Sequence, residues 1–318
     1  MNTIRIAIAG NQWITRYLLD KLIEKQIEPS LLITTSPKQS ESISGYEDLS
    51  SYADKRNIPL YHPQKYSLKT ELDEQNLVNK VDILFVFGWQ RLIPEWLIKS
   101  TKLGVYGVHG GPKPPPRCRG RAVLNWSLIL GCKQFYLYLF KITPGVDDGE
   151  IVQMVRFDIL PTDDIVTLYH KNCVVTSQMI VDNLPKIIDG SISLKEQPSG
   201  EPSYMPKREP ENSGIYWNQT AERITNLIRA VVPPYPAAFT YLGDKRIYIR
   251  RAHIFDTKIL FSEPPGTIVE VFPNKDFIVT TKDFSLYVKE YSAKSEEIIK
   301  KGATFKLHSG KQLEDPVF

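Results

Sequence analysis

Apolar residues along the chain fall into short runs separated by polar segments with helical spacing. Ile4 to Ala9 (IRIAIA) reads as a strand ending in Gly10, and Thr15 to Lys25 follow with Leu18, Leu19, Leu22 and Ile23 on one helical face. Ser30 to Thr34 and Ile58 to Tyr61 are further strands, with a helix over Leu49 to Lys55 between them. Val81 to Phe87 (VDILFVF) is apolar almost without interruption, the pattern of a strand covered on both faces. A helix around Glu95 to Lys99 leads to another apolar strand, Gly104 to Val108. This alternation predicts an α/β fold with a parallel sheet and right-handed crossovers. Gln134 to Ile142 and Ile151 to Val155 add strands, and Asp163-Asp164 open a long helix through Asn183 whose core stripe is Leu168, Val175, Met179 and Ile180.

The pattern then changes. Leu194 to Pro210 is dense in proline, glycine, serine and charge and reads as a linker, so the expected division is 1–192, 193–210 and 211–318. After a helix over Thr220 to Val232 and the break Pro233-Pro234-Tyr235-Pro236, five short strands are spaced as in a small β-barrel. They are Phe239 to Leu242, Arg246 to His253, Gly266 to Val271, Phe277 to Thr281 and Ser285 to Tyr291.

Composition narrows the field without redirecting it. A chain of 318 residues, 42% hydrophobic and 24% charged, is of ordinary globular make-up and long enough for two cores. No apolar run is long enough to span a bilayer, and MNTIRIAIAG is too short and strand-like for a signal peptide, so the expected location is cytoplasmic, with no membrane partner. The net charge of +4 is spread along the chain, which disfavours a nucleic-acid footprint. KPPPRCRGR is the densest basic stretch, read as solvated loop charge unless a phosphorylated ligand is called for. Cys118, Cys132 and Cys173 lack metal-type spacing and are expected to be reduced thiols, with no metal site.

Candidate chemistry concentrates in LGVYGVHGGPKPPPRCRGRAVLNWSLILG (Leu103 to Gly131). Here a buried strand delivers His109 onto a Gly-Gly-Pro turn, and Arg119 to Arg121 open an amphipathic helix. A histidine at a strand's carboxyl end is placed for acid/base work, because ligands of open α/β sheets bind outside those ends; a core histidine satisfied by backbone is the alternative. The loop Thr143 to Gly149 carries Asp147 and Asp148, either turn-formers or the source of a carboxylate for His109. Gly88 opens a second such edge, with Trp89 and Leu92 as walls for a flat ligand, or simply a packed loop. Gly10-Asn11-Gln12 is not a dinucleotide fingerprint. His62, His253 and His308 read as packing or surface residues.

His109, the Arg119-Gly120 pair and Val146-Asp147-Asp148-Gly149-Glu150-Ile151, in that order, resemble the folate-dependent formyltransferases over nearly the whole chain. RGRAVLNW, DDIVTLYHKNC and RAVVPPYPAAFTY look closest to members that formylate nucleotide-linked amino sugars. The resemblance implies a Rossmann-like catalytic domain with a mainly parallel sheet, a C-terminal barrel, and transfer of a formyl group from 10-formyltetrahydrofolate to a sugar amine. By carry-over, His109 and Asp147 would be the acid/base pair, and Gln90, Arg91, Leu92, Ile142, Thr143 and Val146 would border the cofactor. Lys113, Arg117 and Arg121 are cations that could meet a sugar diphosphate, and the resemblance admits a homodimer. One position departs from the family: Gly107 stands where members carry an asparagine that donates to the formyl oxygen, a loss of about 2.7 to 4 kcal/mol of transition-state stabilisation. A main-chain N–H or Asn125 could substitute; otherwise the protein is a slow enzyme or a binder that has lost the chemistry. Formylation of methionyl-tRNA is a further alternative, but SPKQSESISGYEDL lacks the glycine-rich basic loop of those relatives.

Overall fold

A computed structural model of the protein describes residues 4–40, 43, 45–292, 299–306 and 314–317; His308 lies outside them. The first half runs β1 (Ile6–Ala9), α1 (Trp13–Glu24), β2 (Leu31–Ile33), α2 (Ser50–Lys55), β3 (Leu60–Tyr61), α3 (Glu71–Leu77), β4 (Ile83–Val86), α4 (Glu95–Ser100) and β5 (Val105–Gly111). It continues through β6 (Arg119–Gly120), α5 (Val123–Ile129), β7 (Gln134–Lys141), β8 (Ile151–Asp158) and α6 (Ile165–Asp189). The seven-stranded sheet has the order β3-β2-β1-β4-β5-β7-β8. Strands β1 to β5 pair in parallel, and every residue of β1 is buried, as an element with helices on both sides requires. The strand order reverses between β1 and β4, which opens a crevice at the carboxyl edge beside β5.

The sheet is mainly parallel, as expected: β7 runs antiparallel to β5, and β8, antiparallel to β7, restores the direction of β5. One expectation from the sequence needs correction here. Arg119 and Gly120 do not open a helix; they form β6, and α5 starts at Val123 after a left-handed Ala122 (φ 55°). A glycine at φ 98° (Gly120) and that alanine cannot belong to a helical turn, whatever the apolar spacing downstream implies. Helix α6 starts where the acids predict, Asp164 accepting from the Thr167 N–H at 2.9 Å, but runs past Asn183 to a left-handed Gly190.

The second half contains β9 (Tyr204–Met205), α7 (Ala221–Ala230), β10 (Ala238–Leu242), β11 (Lys245–Ile254), β12 (Ile268–Val271), β13 (Phe277–Thr280) and β14 (Ser285–Ser292). Its antiparallel sheet runs β10-β11-β14-β13-β12. Bridges from Thr304 to Thr267 and from Lys306 to Tyr241 lay the segment 304–306 between the two edge strands, which closes the barrel. The residues between the halves do not hang free: Lys195 exchanges both backbone hydrogen bonds with Ile151, and β9 pairs in parallel with β6. One buried apolar cluster runs from Leu18 and Phe85 through Trp126 to Ile228 and Phe277. Among the described residues, no helix is long and apolar enough to cross a membrane.

Candidate functional site

Alternation along β5 puts Gly107 and His109 on one face, opposite Phe140 and Tyr138 of β7. The strand continues through Gly111, so His109 lies within β5 and not on the turn the sequence implied. Gly111 lets the following loop fold back, since a Cβ there would lie 2.4 Å from that of Cys118. The returning loop brings the Cys118 carbonyl to accept from His109 Nε2 at 2.9 Å. With Nε2–H committed to a carbonyl, the neutral ring leaves Nδ1 bare, and Nδ1 faces Asp147 Oδ2 at 3.6 Å. That separation is an ion-pair approach and too long for a hydrogen bond. The His109 side chain is 10% exposed and that of Asp147 23%, so the pair is sheltered but reachable.

The loop that presents Asp147 is held by its own residues and by a distant one. Asp147 itself is left-handed (φ 50°), a conformation aspartate tolerates better than most residues. Asp148 accepts from the Thr143 hydroxyl, and a Cβ at 145 would fall 1.9 Å from the Asp148 carboxylate, so a side chain there would displace it. Gln197, from the segment read as linker, donates to the carbonyls of Asp147 (2.7 Å) and Gly149 (3.0 Å). Arg119 in turn donates to Gln197 Oε1 at 2.9 Å, and the Gly120 N–H donates to Asp147 Oδ2 at 3.2 Å. Spacing could not reveal Gln197, because its partners lie about fifty residues earlier in the chain.

A side chain at position 107 would have to displace the end of Ile142. A Cβ on Gly107 would meet Ile142 Cδ1 at 2.8 Å and Phe140 at 3.4 Å. Asn125, a proposed replacement donor, is not at the site: its amide donates to the Ala230 carbonyl at 2.8 Å and joins α5 to α7. Beside His109, the fully buried Tyr138 ring makes an edge contact at 5.8 Å, and its hydroxyl has no partner among the described residues. Burial pushes the Tyr138 phenol well up, with Asp147 adding and Arg119 opposing, so it stays protonated.

The residues expected at the cofactor lie on two loops, after β4 and after β7. Leu92 is 52% exposed and Val146 38%, apolar side chains left open to solvent at the rim. Leu92, Ile93, Pro94, Trp96, Pro144 and Thr70 line a pocket of about 390 Å³; of the residues expected at the cofactor, Leu92 alone is in that lining. Gln90 and Arg91 are already engaged: the Gln90 N–H donates to Tyr66 Oη and its side-chain oxygen accepts from Arg121, while Arg91 lies over the Tyr66 ring. The Ile142 N–H is spent on the Val105 carbonyl at 2.7 Å. Trp89 Nε1 is buried without a partner among the described residues.

Comparison with known proteins places this arrangement. Residues 3–184 match the family model described as formyl transferase, and residues 207–308 match that of the formyl transferase C-terminal domain. The bifunctional polymyxin resistance protein ArnA of Wigglesworthia glossinidia brevipalpis is 34% identical over 236 residues, covering 74% of this chain and 34% of the relative. The chain thus spans about a third of that relative's length. Among solved structures, HypX from Aquifex aeolicus in complex with tetrahydrofolic acid superposes on 99% of this chain and 51% of its own, with TM-score 0.67 at 15% identity. WlaRD, a sugar 3N-formyl transferase crystallised in the presence of dTDP and 5-N-formyl-THF, covers 91% and 98%, with TM-score 0.65 at 21% identity. The Helicobacter canadensis N-formyltransferase in complex with folinic acid and dTDP-3-aminofucose covers 91% and 100%, with TM-score 0.66 at 17% identity. At those identities the structures share the fold, whereas the two domain matches settle the lineage: the chain belongs to the formyl transferase family.

Proposed function

We propose that the protein transfers a formyl group from 10-formyltetrahydrofolate to the primary amine of a nucleotide-linked amino sugar, with His109 and Asp147 managing the proton. The observation that carries this reading is the 3.6 Å approach of His109 Nδ1 and Asp147 at the sheet edge, beside an apolar rim. Folate compounds in HypX, WlaRD and the Helicobacter enzyme, and a dTDP-amino sugar in the last, support the choice of donor and acceptor. The rim fits the donor: exposed Leu92 and Val146 can cover its flat ring, and the buried Trp89 N–H offers an unused hydrogen bond. A cytoplasmic location agrees with three free thiols.

In the proposed reaction the amine forms a bond to the formyl carbon, the bond from that carbon to the folate nitrogen breaks, and one proton crosses from amine to leaving nitrogen. His109 Nδ1 is the ring position free to accept and return that proton. Asp147 stabilises the charged ring in between. Gly107 has no side-chain donor for negative charge on the formyl oxygen, so the candidates on this face are His109 once Nδ1 carries the proton and the Tyr138 hydroxyl, which has no partner among the described residues.

Release of tetrahydrofolate, followed with a panel of nucleotide amino sugars, tests the reading. Turnover is expected with at least one acceptor, and His109→Ala should lower it about 10²- to 10⁴-fold. No turnover above the His109→Ala level with any acceptor overturns it. The absence of a side-chain donor at Gly107 favours one second reading, a binding protein that keeps the ligands and has lost the chemistry; tight folate and nucleotide binding without turnover would establish that instead.

A further inference from the structure

Three stretches that are distant in the chain meet at Asp147: β6, the loop 143–149 and the segment after α6. That last segment runs antiparallel to the start of β8, with Lys195 and Ile151 exchanging both backbone hydrogen bonds. Two residues further along the same pairing, Gln197 comes opposite Gly149, and there a side chain takes over from the backbone. Its amide nitrogen donates to the carbonyl of Asp147 at 2.7 Å and to that of Gly149 at 3.0 Å. Gln197 is half-buried, whereas Lys195, Glu196 and Pro198 around it are exposed. A long polar side chain is thus turned inward from a stretch that otherwise faces water.

Arg119 decides which way that amide points. Its Nη2 donates to Gln197 Oε1 at 2.9 Å, so the amide oxygen faces a cation and the nitrogen faces two carbonyls. The reverse orientation would set donor against donor and acceptor against two acceptors. The next residue, Gly120, spends its N–H on Asp147 Oδ2 at 3.2 Å. Both are anchored in turn, since the Arg119 N–H donates to the Ser203 carbonyl at 2.9 Å and the Arg121 N–H to that of Met205 at 3.1 Å. Asp147 is therefore gripped twice from β6, directly at its carboxylate and through Gln197 at its backbone. The left-handed backbone of Asp147 (φ 50°) carries a conformational cost that these contacts offset. Its carboxylate stands 3.6 Å from His109 Nδ1, and proton transfer is steeply sensitive to shifts of that order.

We propose that Gln197 is a positioning residue for formyl transfer: oriented by Arg119, it fixes Asp147 in front of His109 and acts through that carboxylate, not on the reactants. This rests on the acid/base reading above and adds what holds the pair together. Turnover and affinity for 5-formyltetrahydrofolate, measured in wild type, Gln197→Met, Gln197→Glu, Asp147→Asn and the double variant Asp147→Asn with Gln197→Met, test it. Methionine keeps the length and loses the donors; glutamate keeps a partner for Arg119 but turns an acceptor on the two carbonyls. In both, kcat is expected to fall at least about tenfold while KM for each substrate and folate affinity hold. Added to Asp147→Asn, Gln197→Met should cost no more than about twofold, because its effect runs through a carboxylate already removed. Equal losses in the two backgrounds mean a general structural role and overturn the inference, as does a Gln197→Glu enzyme as fast as wild type. Where the methionine variant fails to bind folate and so has not folded, or Asp147→Asn is too slow to compare, the glutamate variant decides. Asp147→Asn as fast as wild type, or wild type inert with every acceptor, overturns the acid/base reading and the inference with it.

Discussion

Among the described residues the buried Tyr138 hydroxyl has no partner, and it lies next to a histidine that is hydrogen-bonded on one side and loosely paired on the other. An unsatisfied buried donor costs about 1 to 3 kcal/mol, so Tyr138→Phe should leave stability unchanged or raise it by about 1 kcal/mol in chemical denaturation. If instead the hydroxyl serves the formyl oxygen, the same variant loses turnover while folate binding holds, and the two measurements together separate the roles. The sequence made His109 and Asp147 legible because both sit in short motifs with distinctive neighbours. It could not show that Ile142 fills the space beside Gly107, nor that Asn125 belongs to the α5–α7 contact, because both depend on residues that meet only after folding.

Among elements, the ones with strong period or unbroken apolar character were readable: β1, β4, α1 and the barrel strands fall within a few residues of expectation. The two-residue strands β6 and β9 were not, because so short a stretch has no period and its partner is over eighty residues away. At the opposite end of the sheet from the site, β1 and β4 are pinned by Arg5, whose Nε and Nη2 donate to both oxygens of Asp82 at 3.0 and 2.9 Å. The hydrogen-bonded Arg5 guanidinium holds the Asp82 carboxyl down at about 2, below its ordinary 3.8. A folded-state value below the unfolded one means stabilisation that is complete above the ordinary value and disappears as the pH falls toward about 2. Asp82→Asn should therefore cost about 1 to 2 kcal/mol near neutrality, after allowance for the partly exposed Arg5, and nothing at the acid end. Denaturant unfolding at a series of pH values checks it: a wild-type-minus-variant difference that does not shrink on acidification refutes the assignment.

At the scale of the whole molecule, the halves are joined by more than a tether. Asn125 to Ala230, Arg223 to Ile129 and the Tyr169–Tyr235 hydroxyl pair at 2.6 Å all cross the junction, inside a single apolar cluster. The two halves should unfold in one transition, with near-ultraviolet circular dichroism, which reports packing, coinciding with tryptophan fluorescence; two separated transitions would show independent units. The segment between them has a role that its composition hides. Ser203 accepts the Cys118 N–H at 3.0 Å and receives the Arg119 N–H on its carbonyl at 2.9 Å, while Gln197 ties down the loop of Asp147. Anyone exchanging C-terminal halves between relatives should place the crossover after Met205, because a splice upstream of it would import foreign chain into the wall that shapes the histidine's surroundings.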